Sequence, residues 1–402
     1  MTLSEELSWR GFVNQTTLNS ITDLDEKPLN FYWGCDPSAD SLTIGNLAAG
    51  MMARVFMKHG YRATLLVGGA TGMIGDPKDD EERSLKSLDE VEHNKKSIAG
   101  QYSQIFGDMA FELVDNYDWF KDVGYLQFLR EVGKQFSMSQ LLDREFVKSR
   151  VGEGKSGLSY AEFSYSLIQG YDFLHLFRTR GVTLQLCGAD QWGNSLSGVE
   201  LIRKNESAEA HVWSTPLIIN KATGKKFGKS EGGAIWLDEN KTSVFKYYQF
   251  WLNADDKGVI DYLKVYTPLE KEEIDRLETA TKKNPGAREA QKVLAYEATK
   301  LIHGADRAEN ARNASAALFG DTPFEQLLKE EIEMLKGELP TTASGDLVNA
   351  LVTSGLAASN SEARRLIQSG AVSVNGTKVA AEVSLSAPSL IKKGKNSFAL
   401  AV

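Results

Sequence analysis

The chain has 402 residues, of which 42% are hydrophobic and 25% charged, the balance of a folded globular protein rather than a disordered one. At roughly 100–200 residues per domain, this length predicts two or three domains. The amino-terminal segment has neither the basic start nor the apolar run of a signal peptide, and no apolar stretch reaches the ~18 residues of a membrane helix. Two cysteines and five scattered histidines exclude a disulfide framework and argue against structural zinc. We therefore expect a cytoplasmic protein without membrane contact.

The net charge of −8 is unevenly distributed along the chain. Residues 341–402 carry six basic and three acidic side chains, so this segment is +3 and the remainder is −11. The acidic total argues against a general nucleic-acid coat. A small basic segment on an acidic body is nevertheless compatible with local nucleic-acid contact.

The first half of the chain alternates strand-like and helix-like segments. Leu29–Gly34 and Ala63–Val67 are predicted strands, and apolar side chains spaced by three and four predict a helix from Ile44 to His59 between them. Strand, helix and strand with short connections form a βαβ unit, which predicts an α/β fold with a parallel sheet. Further predicted elements are helical patterns up to about Gly170, a strand at Val182–Cys187, a helix from about Asp190 to Lys204 and a strand at Val212–Asn220.

The second half has a different pattern. Helical periodicity from Thr242 to about Phe319 predicts a separate α-helical domain. Gly337–Gly345 contains proline and small polar residues, so we predict a linker there. The last unit, residues 346–402, combines helical patterns with β-like pieces around Val372–Asn375 and Ser397–Leu400.

The segment FYWGCDPSADSLTIGNL, residues 31–47, runs from a strand through a turn into a helix. The first turn of a helix has free N–H groups and the positive end of its dipole, which suit a phosphate. Gly34 and Gly45 would let a nucleotide approach the backbone, and Ser38, Thr43 and Asn46 offer polar groups. The alternative is an ordinary capped strand–turn–helix.

Two further motifs follow predicted strands. VGGATGMIGDPK, residues 67–78, places Asp76 where α/β sheets bind ligands, and its carboxylate could pair with an ammonium group. GADQWGN, residues 188–194, places Asp190 and Gln191 at a helix start, where the carboxylate could accept from ribose hydroxyls. In both motifs the aspartate could instead be only a cap.

The segment YAEFSYSLIQGYDF, residues 160–173, has Tyr165, Gln169 and Asp172 at positions i, i+4 and i+7, on one face of a helix. This row is too polar for an ordinary core stripe and suits a pocket that binds hydrogen-bonding groups. A solvated face is the alternative.

The segment KFGKS, residues 226–230, has two lysines around a Phe-Gly pair and a hydroxyl after them. Such a loop can neutralise the charge that grows on a polyphosphate in a transition state. The alternative is a solvated lysine-rich surface loop.

Together these motifs resemble those of the class I aminoacyl-tRNA synthetases, and specifically the bacterial-type tyrosyl-tRNA synthetases. TIGN stands where the HIGH signature of the family belongs, and KFGKS stands where its KMSKS loop belongs. LVGGATGMIGDP, EFSYSLIQGYDF, ADQWGN and YQFW also match in order and spacing, over nearly the whole chain. The resemblance implies a Rossmann-like catalytic domain with a helical insertion (1–225), a KMSKS-type loop and α-helical anticodon-binding domain (226–336), a linker (337–345) and an αL RNA-binding domain (346–402).

The resemblance also implies the activity. Tyrosine and ATP would give tyrosyl-adenylate and pyrophosphate, and the tyrosyl group would then pass to the 3′ end of tRNA(Tyr). ATP would bring Mg²⁺ without a dedicated protein metal site, and the protein would be a cytoplasmic homodimer.

The resemblance assigns a role to each candidate residue. The catalytic set is Thr43, Asn46, Arg83, Lys226, Lys229 and Ser230. The tyrosine-binding set is Tyr32, Asp76, Tyr165, Gln169, Asp172 and Gln191. The ATP-binding set is Gly34, Asp36, Ser38, Gly45, Gly188, Asp190 and Lys229. The RNA-binding set is Arg364, Arg365 and Lys378.

Several positions depart from the family pattern. Thr43 and Asn46 replace the two histidines of the HIGH signature, and Thr43 cannot carry a positive charge. Trp33 stands where a small residue or cysteine is usual. The loop after Asp76 is one residue short, so that Arg83 matches the arginine of the family's mobile loop while Lys78 is only the nearest candidate for its lysine.

The carboxyl-terminal segment SEARRLIQSGAVSVNGTKV, residues 361–379, resembles the αL RNA-binding domain shared with a small-subunit ribosomal protein. We predict a tight turn at Asn375–Gly376 between its β-like pieces. A small packing domain is the alternative. For the whole chain, a tryptophan-specific relative and a catalytically weak, synthetase-like RNA-binding protein are the rival interpretations.

Overall fold

The predicted βαβ unit is present in the computed structural model of the chain. The structure describes residues 1–77, 85–107, 109–142, 145–151, 157–221, 224, 227, 229–230, 233–320 and 322–402, with the backbone alone at residues 140, 145, 146, 149, 229 and 230. These residues form two units, Met1–Lys241 with Asp255–Ala290 and Thr242–Ala254 with Gln291–Val402.

The first unit is built on a sheet to which six strands of the described chain belong. They are β1 (Gln15–Thr16), β2 (Asn30–Cys35), β3 (Arg62–Val67), β4 (Phe111–Asp115), β5 (Leu184–Gly188) and β6 (His211–Thr215). Their order is β1-β6-β5-β2-β3-β4, and all neighbours are parallel except β1 and β6. The chain winds in opposite directions from β2 to β3 and from β5 to β6. The crevice at the carboxyl ends of β2 and β5 is therefore the switch point where such sheets bind ligands.

Helices cover the sheet and fill the connections. In the first unit they are α1 (Leu3–Arg10), α2 (Ile44–Lys58), α3 (Gly69–Ile74), α4 (Leu88–Phe106), α5 (Tyr117–Phe120), α6 (Tyr125–Glu131), α7 (Met138–Leu142), α8 (Glu145–Arg150), α9 (Tyr160–Arg180) and α10 (Trp192–Glu206). Short 3₁₀ turns lie at Ile21–Asp25, Gly133–Gln135 and Ala189–Gln191. A two-stranded ribbon, β7 (Lys229–Ser230) with β8 (Gly233–Ala234), follows β6.

The structure corrects three of the predicted elements. Strand β4 lies in a region that we predicted as helical. That prediction was wrong because the FELVD sequence of this edge strand exposes Glu112 and has no continuous apolar run. Strand β6 ends at Thr215, since Pro216 has no N–H to continue the ladder. Helix α10 begins at Trp192, because the residues from Ala189 form a 3₁₀ turn first.

After the ribbon the chain is helical, as predicted. The elements are α11 (Val244–Leu252), α12 (Val259–Tyr266), α13 (Lys271–Lys283), a 3₁₀ turn (Pro285–Ala287), α14 (Glu289–His303), α15 (Ala305–Phe319), a 3₁₀ turn (Phe324–Gln326) and α16 (Lys329–Lys336). The carboxyl-terminal region adds α17 (Leu347–Thr353) and α18 (Asn360–Gln368). Its strands are β9 (Thr341–Thr342), β10 (Gly345–Asp346), β11 (Val372–Val374), β12 (Thr377–Lys378), β13 (Ser384–Leu385), β14 (Ser389–Lys393) and β15 (Ser397–Ala401).

The predicted turn at Asn375–Gly376 is confirmed. Both residues have positive φ, at 48° and 81°, and they connect the antiparallel strands β11 and β12. Positive φ at both central positions is typical of a type I′ hairpin turn. Within this unit, Leu390, Phe398 and Leu400 pack in one buried cluster with side chains of α15 and α16. The carboxyl-terminal strands therefore share a core with the preceding helices.

Candidate active site

A cleft of about 500 Å³ lies at the carboxyl ends of β2 and β5, and the predicted site residues meet there. Those that line it are Tyr32, Gly34, Asp36, Ser38, Thr43, Gly45, Asn46, Asp76, Tyr165, Gln169, Asp172, Gly188, Asp190 and Gln191. Lys78, Arg83 and Lys226 lie outside the described residues, as do the side chains of Lys229 and Ser230. A larger cavity of about 770 Å³ beside β4 contains none of the predicted residues. Polar convergence at the switch point, rather than volume, identifies the site.

One end of the cleft has an aspartate beneath a buried phenol. Asp172, on α9, is 2% exposed and accepts hydrogen bonds from Asn116 Nδ2 at 3.1 Å and Trp119 Nε1 at 2.9 Å. Burial raises the pKa of its carboxyl well above the ordinary value, although both hydrogen bonds act in the opposite direction. Tyr32, on β2, is also 2% exposed, and among the described residues its hydroxyl has no hydrogen-bond partner. Burial raises its pKa, and the charge of Asp172 adds to that effect.

Asp36 lies next to this pair, at the end of β2. Its carboxylate accepts from the Tyr165 hydroxyl at 2.8 Å and from the Thr71 hydroxyl at 2.6 Å. Asn116 Nδ2 donates to Thr71 at 3.0 Å, so one amide links the surroundings of Asp36 and Asp172. A Cβ at Gly68 would lie 2.2 Å from both Asp36 Oδ1 and Thr71 Oγ1, so only glycine leaves room for their hydrogen bond.

A third carboxylate, that of Asp76, follows α3 and accepts hydrogen bonds from two side-chain amides. Gln191 Nε2 donates to Asp76 Oδ2 at 2.8 Å, and Asn194 Nδ2 donates to Asp76 Oδ1 at 3.1 Å. Asn194 also contacts Gln191 Oε1 at 3.2 Å, which closes a ring of three side chains. Nearby, the buried Oε1 of Gln169 has no hydrogen-bond partner among the described residues.

The other end of the cleft is the start of α2. Asn46 Oδ1 accepts from both the backbone N–H and the hydroxyl of Thr43, at 3.0 and 2.9 Å. The segment after the ribbon pairs with this turn, since Ile44 N–H donates to the carbonyl of Ile235 at 3.1 Å and Thr43 forms a β-bridge with Trp236. The helix start that carries TIGN is therefore joined to the chain that follows KFGKS.

The charges along the cleft are all of one sign in the part of the chain that the structure describes. Four aspartates line it: Asp36, Asp76, Asp172 and Asp190. No lysine, arginine or histidine is among the described lining residues. No three His, Cys, Asp or Glu side chains come together as a metal site within those residues. No described helix is long and apolar enough to cross a bilayer.

Sequence reasoning missed four side chains of this site: Thr71, Asn116, Trp119 and Asn194. Thr71 and Asn194 lie inside motifs that we singled out, but no role was predicted for them. Asn116 and Trp119 directly follow β4, the strand that we did not predict. Recognising that strand would have placed NYDWF at the same sheet edge as the other motifs, which was the available signal.

The predicted RNA-binding residues belong to the second unit. Arg364 pairs with Glu382 at 2.9 Å, while Arg365 and Lys378 are exposed. Lys392 donates to the carbonyl of Leu318, and Lys393 donates to that of Leu356. Part of the basic excess of this segment therefore binds backbone carbonyls within the unit.

Comparisons with known proteins identify the family. The family described as "tRNA synthetases class I (W and Y)" matches residues 24–320, and a "Tyrosine--tRNA ligase SYY-like C-terminal domain" matches residues 326–401. The chain is 44% identical to tyrosine–tRNA ligase 2 of Bacillus cereus, over 94% of this chain and 92% of that protein. It is 41% identical to the tyrosine–tRNA ligase of Limosilactobacillus reuteri, over 100% of this chain and 99% of that protein.

Solved structures give the same picture. A carboxyl-terminally truncated mitochondrial tyrosyl-tRNA synthetase of Aspergillus nidulans superposes with a TM-score of 0.69 at 30% identity, covering 77% of this chain and 92% of that chain. A tryptophanyl-tRNA synthetase of Encephalitozoon cuniculi superposes with a TM-score of 0.56 at 12% identity, covering 83% of this chain and 91% of that chain. The second likeness concerns the fold alone.

Proposed function

The chain belongs to the tyrosine–tRNA ligases of the class I synthetase family, and from that premise we propose how its residues divide the work of the reaction. The activity of the family is ATP-dependent: tyrosine is activated to tyrosyl-adenylate with release of pyrophosphate, and the tyrosyl group then passes to the 3′ end of tRNA(Tyr). The substrate carboxylate is ionised at pH 7 and needs no general base before it attacks the α-phosphorus. The protein's contribution is therefore positioning and stabilisation of phosphate charge.

Tyr32 and Asp172 bind the phenol hydroxyl of the substrate in this proposal. The observation that carries it is the buried hydroxyl of Tyr32, which has no partner among the described residues and lies at the end of the cleft that holds Asp172. A substrate hydroxyl can donate to the carboxylate and accept from Tyr32, which satisfies both groups. Phenylalanine would leave the buried Tyr32 hydroxyl without this partner, at a cost of about 1–3 kcal/mol, and would give Asp172 no hydroxyl donor.

Asp76, Tyr165 and Gln169 hold the substrate ammonium. Each carboxylate oxygen has two lone pairs, so Asp76 can accept from an ammonium while keeping its amide partners. The unpartnered Oε1 of Gln169 supplies another acceptor. Gln191, held against Asp76, lies beside the reacting carboxyl group.

ATP occupies the opposite end of the cleft. Gly34, Asp36, Ser38, Gly45, Gly188 and Asp190 are the proposed ATP-binding residues. Thr43 and Asn46 act at the phosphates, where the start of α2 offers backbone N–H groups. Because the described lining is acidic, we assign neutralisation of the departing pyrophosphate to Arg83, Lys226 and Lys229, with Ser230 donating a hydrogen bond to it. Lys229 also contacts ATP before the reaction.

Mg²⁺ enters with ATP in this proposal. It prefers octahedral oxygen ligands and usually combines one or two carboxylates with substrate phosphates. Asp36 and Asp190 are the carboxylates among the proposed ATP-binding residues that line the cleft. The metal would reduce the repulsion between the phosphates and this acidic lining.

We propose that the protein is a cytoplasmic homodimer. Large exposed side chains support the dimer. Tyr125 of α6 is 63% exposed, Leu126 of α6 is 74% exposed and Tyr160 of α9 is 62% exposed. The two tyrosine hydroxyls lie 3.5 Å apart, so they form one surface. An exposed patch of this kind marks an association site. Light scattering of the wild-type protein and of Leu126→Glu tests it, and a monomeric wild-type protein contradicts it.

We propose that Arg365 and Lys378 contact tRNA phosphates and that Arg364 does so in exchange for its pairing with Glu382. The domain match and the exposed positions of Arg365 and Lys378 support this. Filter binding should show Arg365→Ala and Lys378→Ala weakening tRNA(Tyr) binding and lowering its salt dependence. Unchanged binding in both variants contradicts the assignment.

ATP–pyrophosphate exchange with each standard amino acid tests the central proposal. Exchange should depend on tyrosine and be absent with phenylalanine. Equal turnover with phenylalanine contradicts the role of Tyr32 and Asp172, and turnover with tryptophan alone contradicts the assigned specificity.

A further inference from the structure

Helix α12 carries the surface on which Phe227, the described aromatic residue of KFGKS, packs. Phe227 is 6% exposed, and its ring stacks on Tyr262 with centroids 4.1 Å apart and planes at 20°. Tyr266, one turn later on α12, lies 5.9 Å from the same ring. Phe227 and Tyr266 both line the cleft. We call Tyr262 and Tyr266 the tyrosine platform.

The chain just before KFGKS also contacts α12. Lys221, which precedes KFGKS in the chain, forms an ion pair with Asp261 of α12. The backbone N–H of Phe227 also donates to the carbonyl of Ile218 at 2.8 Å. The placement of Phe227 therefore depends on where α12 lies.

The carboxyl end of α12 is held by an arginine of the amino-terminal helix. Arg10 is 5% exposed, and its guanidinium donates to three carbonyls around the carboxyl end of α12: Lys264 at 2.7 Å, Thr267 at 3.1 Å and Leu269 at 2.9 Å. The last carbonyls of a helix lack intrahelical partners, and a cation is favoured at that end of the dipole. The rigid fork of five donors suits this task as a lysine would not.

The orientation of Arg10 is determined by α1 and α2 together. Glu6, 1% exposed, accepts from Arg10 Nε at 2.9 Å and lies 2.8 Å from His59 Nε2 at the end of α2. Lys58 Nζ lies 3.3 Å from the same carboxylate. Burial raises the pKa of Glu6, but the hydrogen bonds from His59 and Arg10 and the charges of Arg10 and Lys58 hold it below its ordinary value. Glu6 contacts the carboxyl end of α2, the helix that begins after Thr43, and Arg10 contacts the carboxyl end of α12, on which Phe227 packs. The Glu6–Arg10 pair therefore joins α2 to α12.

We propose that Arg10 is a positioning residue for tyrosine activation, acting through the carboxyl end of α12 and the tyrosine platform on Phe227. This inference rests on the function proposed above. Arg10 is absent from the cleft lining and touches no proposed substrate site. Its effect reaches the chemistry because Phe227 directly follows Lys226 in the chain. Small misplacements of a catalytic group reduce rates steeply.

The test is pyrophosphate exchange and single-turnover adenylate formation with Arg10→Ala in the full-length protein. We expect the rate of adenylate formation to fall by about 10- to 100-fold while the KM for tyrosine changes less than about twofold. Arg10→Lys, which keeps one charged donor, should recover part of the rate. A change in the KM for tyrosine with an unchanged rate overturns the proposal.

A double-mutant cycle separates this route from general loss of structure. In a Phe227→Ala background, Arg10→Ala should lower the rate by less than about twofold, because the contact it serves is already absent. Additive losses overturn the proposal. Loss of Arg10 leaves Glu6 buried with fewer cations, so Arg10→Ala can fail to fold.

If Arg10→Ala does not fold, substitutions of Tyr262 test the same proposal. Tyr262→Leu keeps the Arg10–Glu6 pair but removes the aromatic face under Phe227, so the rate should fall by about tenfold. Tyr262→Phe keeps the face and removes the hydroxyl, with its 3.2 Å contact to Asp255 and its hydrogen bond with the Lys221 backbone, so its rate should stay within about twofold of wild type. Equal rates for these two variants overturn the proposal. A wild-type protein without tyrosine-dependent exchange contradicts the proposed function instead, before any variant is compared.

Discussion

The two ends of the cleft are built on different principles. At the tyrosine end, neutral donors hold the aspartates in place: Asn116 and Trp119 at Asp172, and Gln191 and Asn194 at Asp76. At the nucleotide end, Thr43 and Asn46 bond chiefly to each other at the start of α2. No cationic side chain lines that end among the described residues.

The difference separates specificity from catalysis. The tyrosine end is organised before substrate arrives, so binding costs little reorganisation and a wrong side chain leaves buried groups unpaired. The nucleotide end needs positive charge most when the pyrophosphate departs. With threonine at the first signature position, that charge has to come from the lysines and arginine of other segments.

The largest expected effect is that of Lys229→Ala at the nucleotide end. We expect the rate of adenylate formation to fall by about 100- to 1,000-fold with little change in the KM for tyrosine, because the contact is made mainly in the transition state. Pre-steady-state measurements check this. Lys282→Ala, at an exposed lysine of α13, is the control and should be unchanged. Weaker tyrosine binding with an intact chemical rate would show that the two ends are not divided in this way.

Asp172→Asn should produce the largest change at the tyrosine end. An asparagine presents one acceptor oxygen and one donor to Asn116 and Trp119, both of which donate at this position. The substrate phenol also loses a charged acceptor. We expect kcat/KM for tyrosine to fall by about 100-fold, measured by exchange. Discrimination against phenylalanine should fall in the same variant, and retained discrimination contradicts the assignment.

The same variant gives a pH test of stability. Burial raises the pKa of Asp172, so the folded protein binds this proton more tightly than the unfolded chain, whose value is 3.8. The contribution of this group to the free energy of unfolding is therefore largest below 3.8 and falls as the pH rises towards the folded pKa. Urea unfolding at about pH 4 and about pH 8 should show wild type losing stability relative to Asp172→Asn. A constant difference would mean that the carboxyl titrates normally.

Asn194→Ala should have a moderate effect, because it removes one of the two amides that hold Asp76. We expect the KM for tyrosine to rise by about tenfold with kcat nearly unchanged, as for lost ground-state binding. Asn205→Ala on the same helix removes a bond to the carbonyl of Leu201 and a 3.5 Å contact from Gln135, both away from the cleft, and is the matched control. A fall in kcat alone would place Asn194 at the nucleotide end.

The smallest expected effect is that of Thr43→Val, which keeps the shape and removes the hydroxyl. A neutral hydrogen bond to phosphate is worth about 1 kcal/mol, so the rate of adenylate formation should fall by about fivefold. The lost contact with Asn46 at the helix start should lower the free energy of unfolding by about 1 kcal/mol in urea titrations. An unchanged rate with the expected loss of stability would make Thr43 a cap and nothing more.

The sequence by itself determined the fold class and most of the candidate site. Periodicity predicted β2, α2, β3 and the helical region after KFGKS, because buried strands and amphipathic helices leave a local pattern. Fourteen predicted residues line the cleft, since the motifs follow strands whose carboxyl ends meet. The domain boundaries predicted at 225/226 and 336/337 stay predictions. Because Phe398 shares a buried core with α15 and α16, removal of the carboxyl-terminal strands would expose that core. Point substitutions therefore test the role of this region more cleanly than truncation.

Only the tertiary structure decided which side chains meet across long sequence distances. Asn116 and Trp119 reach Asp172 from a polar edge strand that has no apolar signature. Arg10 contacts carbonyls more than 250 positions along the chain, and an arginine in an amphipathic helix gives no sign of such a partner. Hydrogen-bond partners depend on the packing of whole elements, whereas a local pattern records only which face of one element is buried.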